Sequence, residues 1–155
     1  MELTDILSGE SVAVRHQVKD KTELLDILSR LGAQATGQQP ETVLETLIAR
    51  ESLGSTGLGN GIAIPHGKLA GLSGVVAAFV KLDKPVEFDS VDDQPVDLAF
   101  ALLAPAGAGA DHLKALARVA RLLRTESLVD ALRASSDPVR LYQLLTATVS
   151  TQNAA

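Results

Sequence analysis

The runs Val75-Val76-Ala77-Ala78-Phe79-Val80-Lys81-Leu82 and Val96-Asp97-Leu98-Ala99-Phe100-Ala101-Leu102-Leu103-Ala104 decide the fold class. Each is almost continuously apolar and too short to cross a bilayer. A strand with one wet face alternates apolar and polar side chains, whereas a strand covered on both faces is free of that requirement. The two runs therefore predict strands sandwiched between layers of helix. The stretch 84–94 between them is polar, contains Pro85 and several aspartates, and reads as a loop or hairpin connection.

Working outward, helical patterns lie on both sides of this block. Asp20-Lys21-Thr22-Glu23 is a helix start, with Asp20 as N-cap and Glu23 reaching back. Leu24, Ile27, Leu28 and Leu31 follow on one stripe, and Gly32 is placed to end it. A second helix begins near Pro40, with Val43, Leu44, Leu47 and Ile48 as its buried face and Arg50 and Glu51 at its C-terminal end. Residues 61–65 form a short alternating strand, and 12–15 a further candidate. After the block, Leu113, Leu116, Ala117, Ala120 and Leu123 or Arg124 recur at helical spacing. Thr125 can cap a helix carrying Leu128, Val129 and Leu132. Asp137-Pro138 opens a last one with Val139, Leu141, Tyr142 and Leu145. The pattern is that of an α/β sandwich in a single domain, residues 1–155, with its core over roughly residues 5–145. Residues 1–10 and the small, polar tail 146–155 carry no core-facing period and are expected to be loose. Strand directions are not encoded in such a pattern.

Composition narrows the function. The chain has 155 residues, a net charge of −5 and only 3% aromatic residues. An acidic surface repels phosphate backbones, and few rings leave little for bases to stack on, so nucleic-acid binding is disfavoured. Cysteine is absent, which removes disulfides, thiolate nucleophiles and cysteine-based metal sites. The acidic N-terminus is unlike a secretory signal. These features together predict a cytoplasmic protein with no membrane insertion.

The chemistry is concentrated in Arg50-Glu51-Ser52-Leu53-Gly54-Ser55-Thr56-Gly57-Leu58-Gly59-Asn60-Gly61-Ile62-Ala63-Ile64-Pro65-His66-Gly67. Its glycines allow backbone N–H groups to approach a ligand, but no Gly-Lys-Ser/Thr follows, and no helix opens where a dinucleotide fingerprint needs one. His66 stands just past a short strand, between a rigid proline and a permissive glycine. A neutral imidazole is a competent nucleophile near neutral pH, provided that its other nitrogen is held as N–H by an acceptor. His112, in Gly109-Ala110-Asp111-His112-Leu113, falls in the first turn of the next helix, where free N–H groups and the helix dipole favour an anion. If the strand ends converge there, a phosphoryl group on His66 would meet His112 and a forked donor pair from Arg50. His16 lies in a polar stretch and reads as solvated. The histidines lack zinc spacing, Ser55 lacks a nucleophile elbow, and Asp89, Asp92, Asp93 and Asp97 read as a solvated loop rather than a calcium site.

The segment Arg50-Glu51 through Ser55-Thr56-Gly57, Gly59, Gly61-Ile62-Ala63-Ile64-Pro65-His66 resembles the phosphorylation-site signature of the fructose/mannitol-type IIA domains of the bacterial phosphoenolpyruvate phosphotransferase system. Asp111-His112-Leu113, Leu116 and Ala117 are similar to that family's second histidine motif, and residues 88–98 resemble its nitrogen-regulatory branch. The resemblance spans roughly residues 5–145. It implies a mixed β-sheet flanked by helices on both faces. It implies that a small histidine phosphocarrier protein (HPr-like) phosphorylates His66 at Nε2, that His112 orients or stabilises the phosphoryl group, and that Arg50 neutralises developing charge. Ser55, Thr56 and Gly57 are expected to bind the phosphoryl oxygens, with no metal and no cofactor. The implied role is phosphotransferase and regulator, signalling its state to targets such as potassium transport systems or sensor kinases. A sugar-specific IIA component feeding a permease shares the same chemistry. A binding module whose histidines never turn over is the alternative from another class.

Overall fold

A computed structural model of the chain describes residues 2–154, with side chains up to residue 147. Among these residues, six α-helices enclose a six-stranded mixed sheet in one α/β domain. The helices are α1 (Leu3–Ile6), α2 (Lys21–Thr36), α3 (Pro40–Glu51), α4 (Ala110–Leu122), α5 (Glu126–Arg133) and α6 (Pro138–Ala154). The strands are β1 (Val12–Arg15), β2 (Gly57–Gly59), β3 (Ile62–Ala63), β4 (His66–Leu69), β5 (Val76–Val86) and β6 (Val96–Pro105).

The two apolar runs are β5 and β6, an antiparallel pair in which Phe79 lies opposite Phe100. Their side chains alternate between two cores. Phe79, Leu98, Phe100 and Leu102 face the layer of α4, α5 and α6, while Val80, Leu82, Ala101 and Leu103 face α2 and α3. Both faces are covered, so neither strand needs a polar position to keep its register. The two phenylalanine rings meet at a tilt of 59° with centroids 5.9 Å apart, an arrangement worth about 0.5–1.5 kcal/mol beyond the area buried. Strand β1 joins β5 in parallel, and β3 and β4 both run parallel along the other edge of β6.

Several boundaries depart from the sequence reading, each for a physical reason. Gly32 lies inside α2, which continues to Thr36 and ends on Gly37 at φ 78°. At Gly32 the helix packs so closely on β6 that a Cβ would sit 2.7 Å from Leu103 Cδ1. The glycine serves approach rather than termination. Asp20 caps α2 as expected, accepting from the Glu23 amide at 2.9 Å, but Glu23 reaches one residue further back and accepts from the Lys19 amide. Strand β5 runs on through Pro85 to Val86, beyond the expected loop start at residue 84. Residues 2–10 are anchored by burial: Leu3 and Ile6, from a helix too short to show a period, and Leu7 just after it enter the α4–α6 core. Along α4 the inward face is His112, Ala115, Val119 and Leu122, and Leu113 points out at 68% exposure. The expected loose tail begins inside α6, where the Thr146 hydroxyl donates to the Tyr142 carbonyl. From residue 148 it lies outside the described side chains, and Ala155 lies outside the described residues.

Candidate functional site

The segment 62–69 tracks along one edge of β6 as a broken strand. Ile62 and Ala63 pair with Leu98 and Ala99, the ladder lapses at Ile64 and Pro65, and His66 resumes it opposite Leu102. Proline has no N–H to give the ladder, so the break falls where the chain cannot pair regularly. The Pro65 carbonyl still accepts from the Leu102 amide at 2.9 Å, which holds the break against β6. His66 thus opens β4 rather than closing β3. Its neighbour Gly67 faces α3, where a Cβ would lie 2.5 Å from Thr46 Cγ2. Only a residue without a side chain lets α3 lie this close to β4, and that approach delivers the end of α3 to the imidazole.

Two partners fix the protonation pattern of His66. Nδ1 stands 2.8 Å from the Ile64 carbonyl oxygen, which can only accept, so Nδ1 carries the hydrogen. On the opposite side of the ring, Arg50 Nε donates to Nε2 at 3.3 Å, and a guanidinium can only donate. Both neighbours require the neutral Nδ1–H tautomer, with the Nε2 lone pair outward. Arg50 is itself aimed by a 2.8 Å bond from Nη1 to the Gly54 carbonyl.

His112 comes to the same place from the other layer. Its ring lies edge-on to His66, centroids 5.5 Å apart at 67°. The residue is 7% exposed although it stands in the first turn of α4. Burial, then the neighbouring His66, then Lys68, push its pKa below the ordinary imidazole value, so it rests neutral. Its Nε2 is buried with no hydrogen-bond partner among the described residues. An orphaned polar atom of this kind costs about 1–3 kcal/mol, and in the Nε2–H tautomer a negatively charged oxygen placed beside it would supply the missing partner.

Ser55, Thr56 and Gly57 are committed elsewhere. The Ser55 hydroxyl donates to the Phe88 carbonyl at 2.9 Å and accepts from the Gly57 amide at 3.0 Å. The Thr56 amide and hydroxyl both donate to Glu51. Gly57 lies against Ser90, and Gly61 against Asp97 and Arg133, so these glycines make room for side chains. Asp97 and Arg133 form a two-point ion pair at 2.9 Å, and Asp92 accepts the Asn60 and Gln94 amides. His16 is exposed beside Asp83, at 3.5 Å, far along the sequence from any residue of the site.

Two neighbours of the site were not singled out from sequence. Lys68 follows His66 at the period-2 spacing that puts both on one side of β4, a pattern hidden because β4 was not predicted. Glu51 is 9% exposed at the end of the inward stripe Val43, Leu47, Glu51 of α3. A carboxylate at the inward end of an apolar stripe is a signal that the sequence did carry.

An α/β domain that holds a histidine pair and an arginine at a broken edge strand is the class that fold and geometry define. The chain belongs to a family of that class: the model described as "Phosphoenolpyruvate-dependent sugar phosphotransferase system, EIIA 2" matches residues 5–148. Members of this family act as phosphotransfer components. A nitrogen regulatory protein of Bradyrhizobium diazoefficiens is 49% identical over 145 residues, 94% of this chain and 95% of its own. The nitrogen regulatory protein of Escherichia coli is 42% identical over 156 residues, covering 100% of this chain and 96% of its own. The crystal structure of nitrogen regulatory protein IIA-Ntr from Neisseria meningitidis superposes with a TM-score of 0.86 at 35% identity, covering 93% of this chain and 99% of that one. No helix among the described residues is long and apolar enough to cross a membrane.

Proposed function

We propose that this chain is a nitrogen-regulatory phosphoryl carrier, taking a phosphoryl group onto His66 from a phosphohistidine carrier protein and reporting its phosphorylation state to target proteins. The observation that carries the reading is the double constraint on His66: a carbonyl that can only accept on Nδ1 and a guanidinium that can only donate on Nε2. That arrangement keeps the attacking lone pair on the nitrogen beside Arg50, with no base needed.

In the transfer, the Nε2 lone pair attacks phosphorus in line as the phosphorus–nitrogen bond of the carrier breaks, its electron pair returning to the carrier's imidazole. The His66 proton stays on Nδ1, donated to the Ile64 carbonyl. Arg50 shifts its donors from Nε2 to the phosphoryl oxygens, and the unpartnered His112 Nε2–H takes another oxygen. Ser55, Thr56 and Gly57 then shape the loop that carries Ile64 and leave direct oxygen contact to Arg50 and His112. The site asks for no metal or cofactor, because these donors supply the charge. Transfer between two phosphohistidines is nearly balanced, and each ~1.4 kcal/mol of preference shifts the ratio about tenfold, so occupancy follows the upstream pool.

The carrier must cover the site. Leu53, just past Arg50, and Leu113, beside His112, are 83% and 68% exposed and offer apolar contact on either side; Leu58, half exposed, extends it. The names of the relatives favour nitrogen regulation over sugar transport, and with it cytoplasmic partners such as potassium transport or sensor kinase systems. The test is incubation with phosphoenolpyruvate, enzyme I and the carrier, followed by intact mass. We expect one acid-labile phosphoryl group, absent in His66→Ala. A chain that gains no mass under conditions that label a known IIA protein is a binding module and not a carrier.

A further inference from the structure

Glu51 is buried at the mouth of the site and has no part in the transfer just described. Lys21, from the first turn of α2, pairs with it at 2.9 Å and lies 4.5 Å over the Phe88 ring. A buried ion pair is a poor device for stability alone, since the cost of stripping water from both charges offsets most of the attraction. Its bonds lead instead toward the imidazole. The Glu51 carboxylate takes the Thr56 amide at 3.1 and 3.2 Å and the Thr56 hydroxyl as well. The Thr56 carbonyl accepts from the Ile64 amide at 3.0 Å. The Ile64 carbonyl in turn takes the Nδ1 hydrogen of His66.

Ile64 sits in the gap between β3 and β4, where pairing with β6 lapses. Its N–H bond to Thr56 anchors Ile64 on one side of the gap, as the Leu102 amide anchors Pro65 on the other, and so helps to place the next peptide, whose oxygen meets His66 Nδ1. Consecutive residues at the end of α3 thus govern the two sides of one ring: Arg50 directly at Nε2, Glu51 through Thr56 and Ile64 at Nδ1.

Resting on the phosphoacceptor reading, we propose that Glu51, with Lys21 as its counter-charge, is a positioning residue that holds His66 in the Nδ1–H tautomer through the Thr56–Ile64 bond. Partners of this indirect kind are worth ~10–100-fold in activity when removed, by analogy with residues that orient metal-bound histidines. The test uses the full chain and two readouts. Two-bond proton–nitrogen spectra of the His66 ring report the tautomer with no phosphoryl donor present. Rapid-quench transfer from the phosphorylated carrier separates the saturating rate from carrier affinity.

In Glu51→Ala we expect an Nε2–H signal to appear, the saturating rate to fall ~10-fold, and the half-saturating carrier concentration to hold. Glu51→Gln, which keeps an oxygen for the Thr56 amide, restores most of both readouts. If Glu51→Ala fails to fold, Thr56→Val gives the same comparison with one bond removed. A folded variant with the wild-type tautomer and saturating rate overturns the proposal and leaves the phosphoacceptor reading intact. A wild-type chain that takes no phosphoryl group overturns that reading, while the tautomer spectra still decide whether Glu51 sets the ring.

Discussion

The end of α3 and the start of α4 reach His66 from opposite layers and are built on opposite plans. On the α3 side the charged groups are held in place: Arg50 donates to both His66 and Gly54, and Glu51 accepts from Thr56 and Lys21. On the α4 side, His112 is buried with Nε2 unmatched. The contrast separates two tasks. The α3 side fixes the His66 ring and the α4 side leaves a polar atom unmatched; in the proposed transfer the first prepares the nucleophile and the second awaits the anion. Preorganisation and ground-state discomfort are thus assigned to different helices.

Breaking the α3 side should have the larger effect. Arg50→Ala removes both a guide for Nε2 and a charge donor, and is expected to slow transfer about 100-fold in rapid-quench measurements, with Arg50→Lys recovering little because one ammonium cannot reproduce the fork. On the α4 side, His112→Leu is expected to slow transfer ~10-fold while raising stability to denaturant by ~1 kcal/mol, because it deletes an unmatched buried donor. A variant that loses both rate and stability would show that His112 is bonded in solution, and the contrast between the helices would lapse.

The pH response sharpens the same contrast. His112 has its pKa lowered in the folded chain, so the unfolded chain binds the extra proton first as pH falls. Its contribution to stability is complete above the ordinary imidazole value of about 6.5 and drains away as pH drops toward the lower folded value. His112→Gln should show a flatter stability profile in that window. Phosphorylation of His66 places negative charge beside the ring, so the His112 pKa should rise on labelling, readable by nitrogen chemical shifts. The smallest effect is expected at the rim: Leu53→Glu, Leu58→Glu or Leu113→Glu should raise the half-saturating carrier concentration several-fold and leave the saturating rate alone.

The layered fold was legible because β5 and β6 are buried on both faces and show it in composition. The helix starts at Asp20 and Pro40 were legible for the same local reason, a side chain that suits a free helix end. β2 and β4 escaped because strands of three and four residues, rich in glycine, carry no period. On α4, Leu116, Ala120 and Leu123 pack on the core as read, but Leu113 and Ala117 face out, and the histidine at 112 takes the inward place at the first turn. His66, Arg50 and His112 were picked out by residue type and motif. The burial of Glu51 was legible in the spacing Val43, Leu47, Glu51, but its bonds to Thr56, five residues on, were not, because no helical period extends past the end of α3.

The proposed transfer requires the His66 ring to rest with hydrogen on Nδ1 and the Nε2 lone pair held by Arg50, to be given up to phosphorus. Nitrogen spectra of the ring, recorded before and after incubation with phosphoenolpyruvate, enzyme I and carrier, test it directly. The account predicts an Nδ1–H tautomer beforehand and a phosphorus-coupled Nε2 afterwards. A resting ring with its hydrogen on Nε2, or a phosphoryl group found on Nδ1, would contradict it.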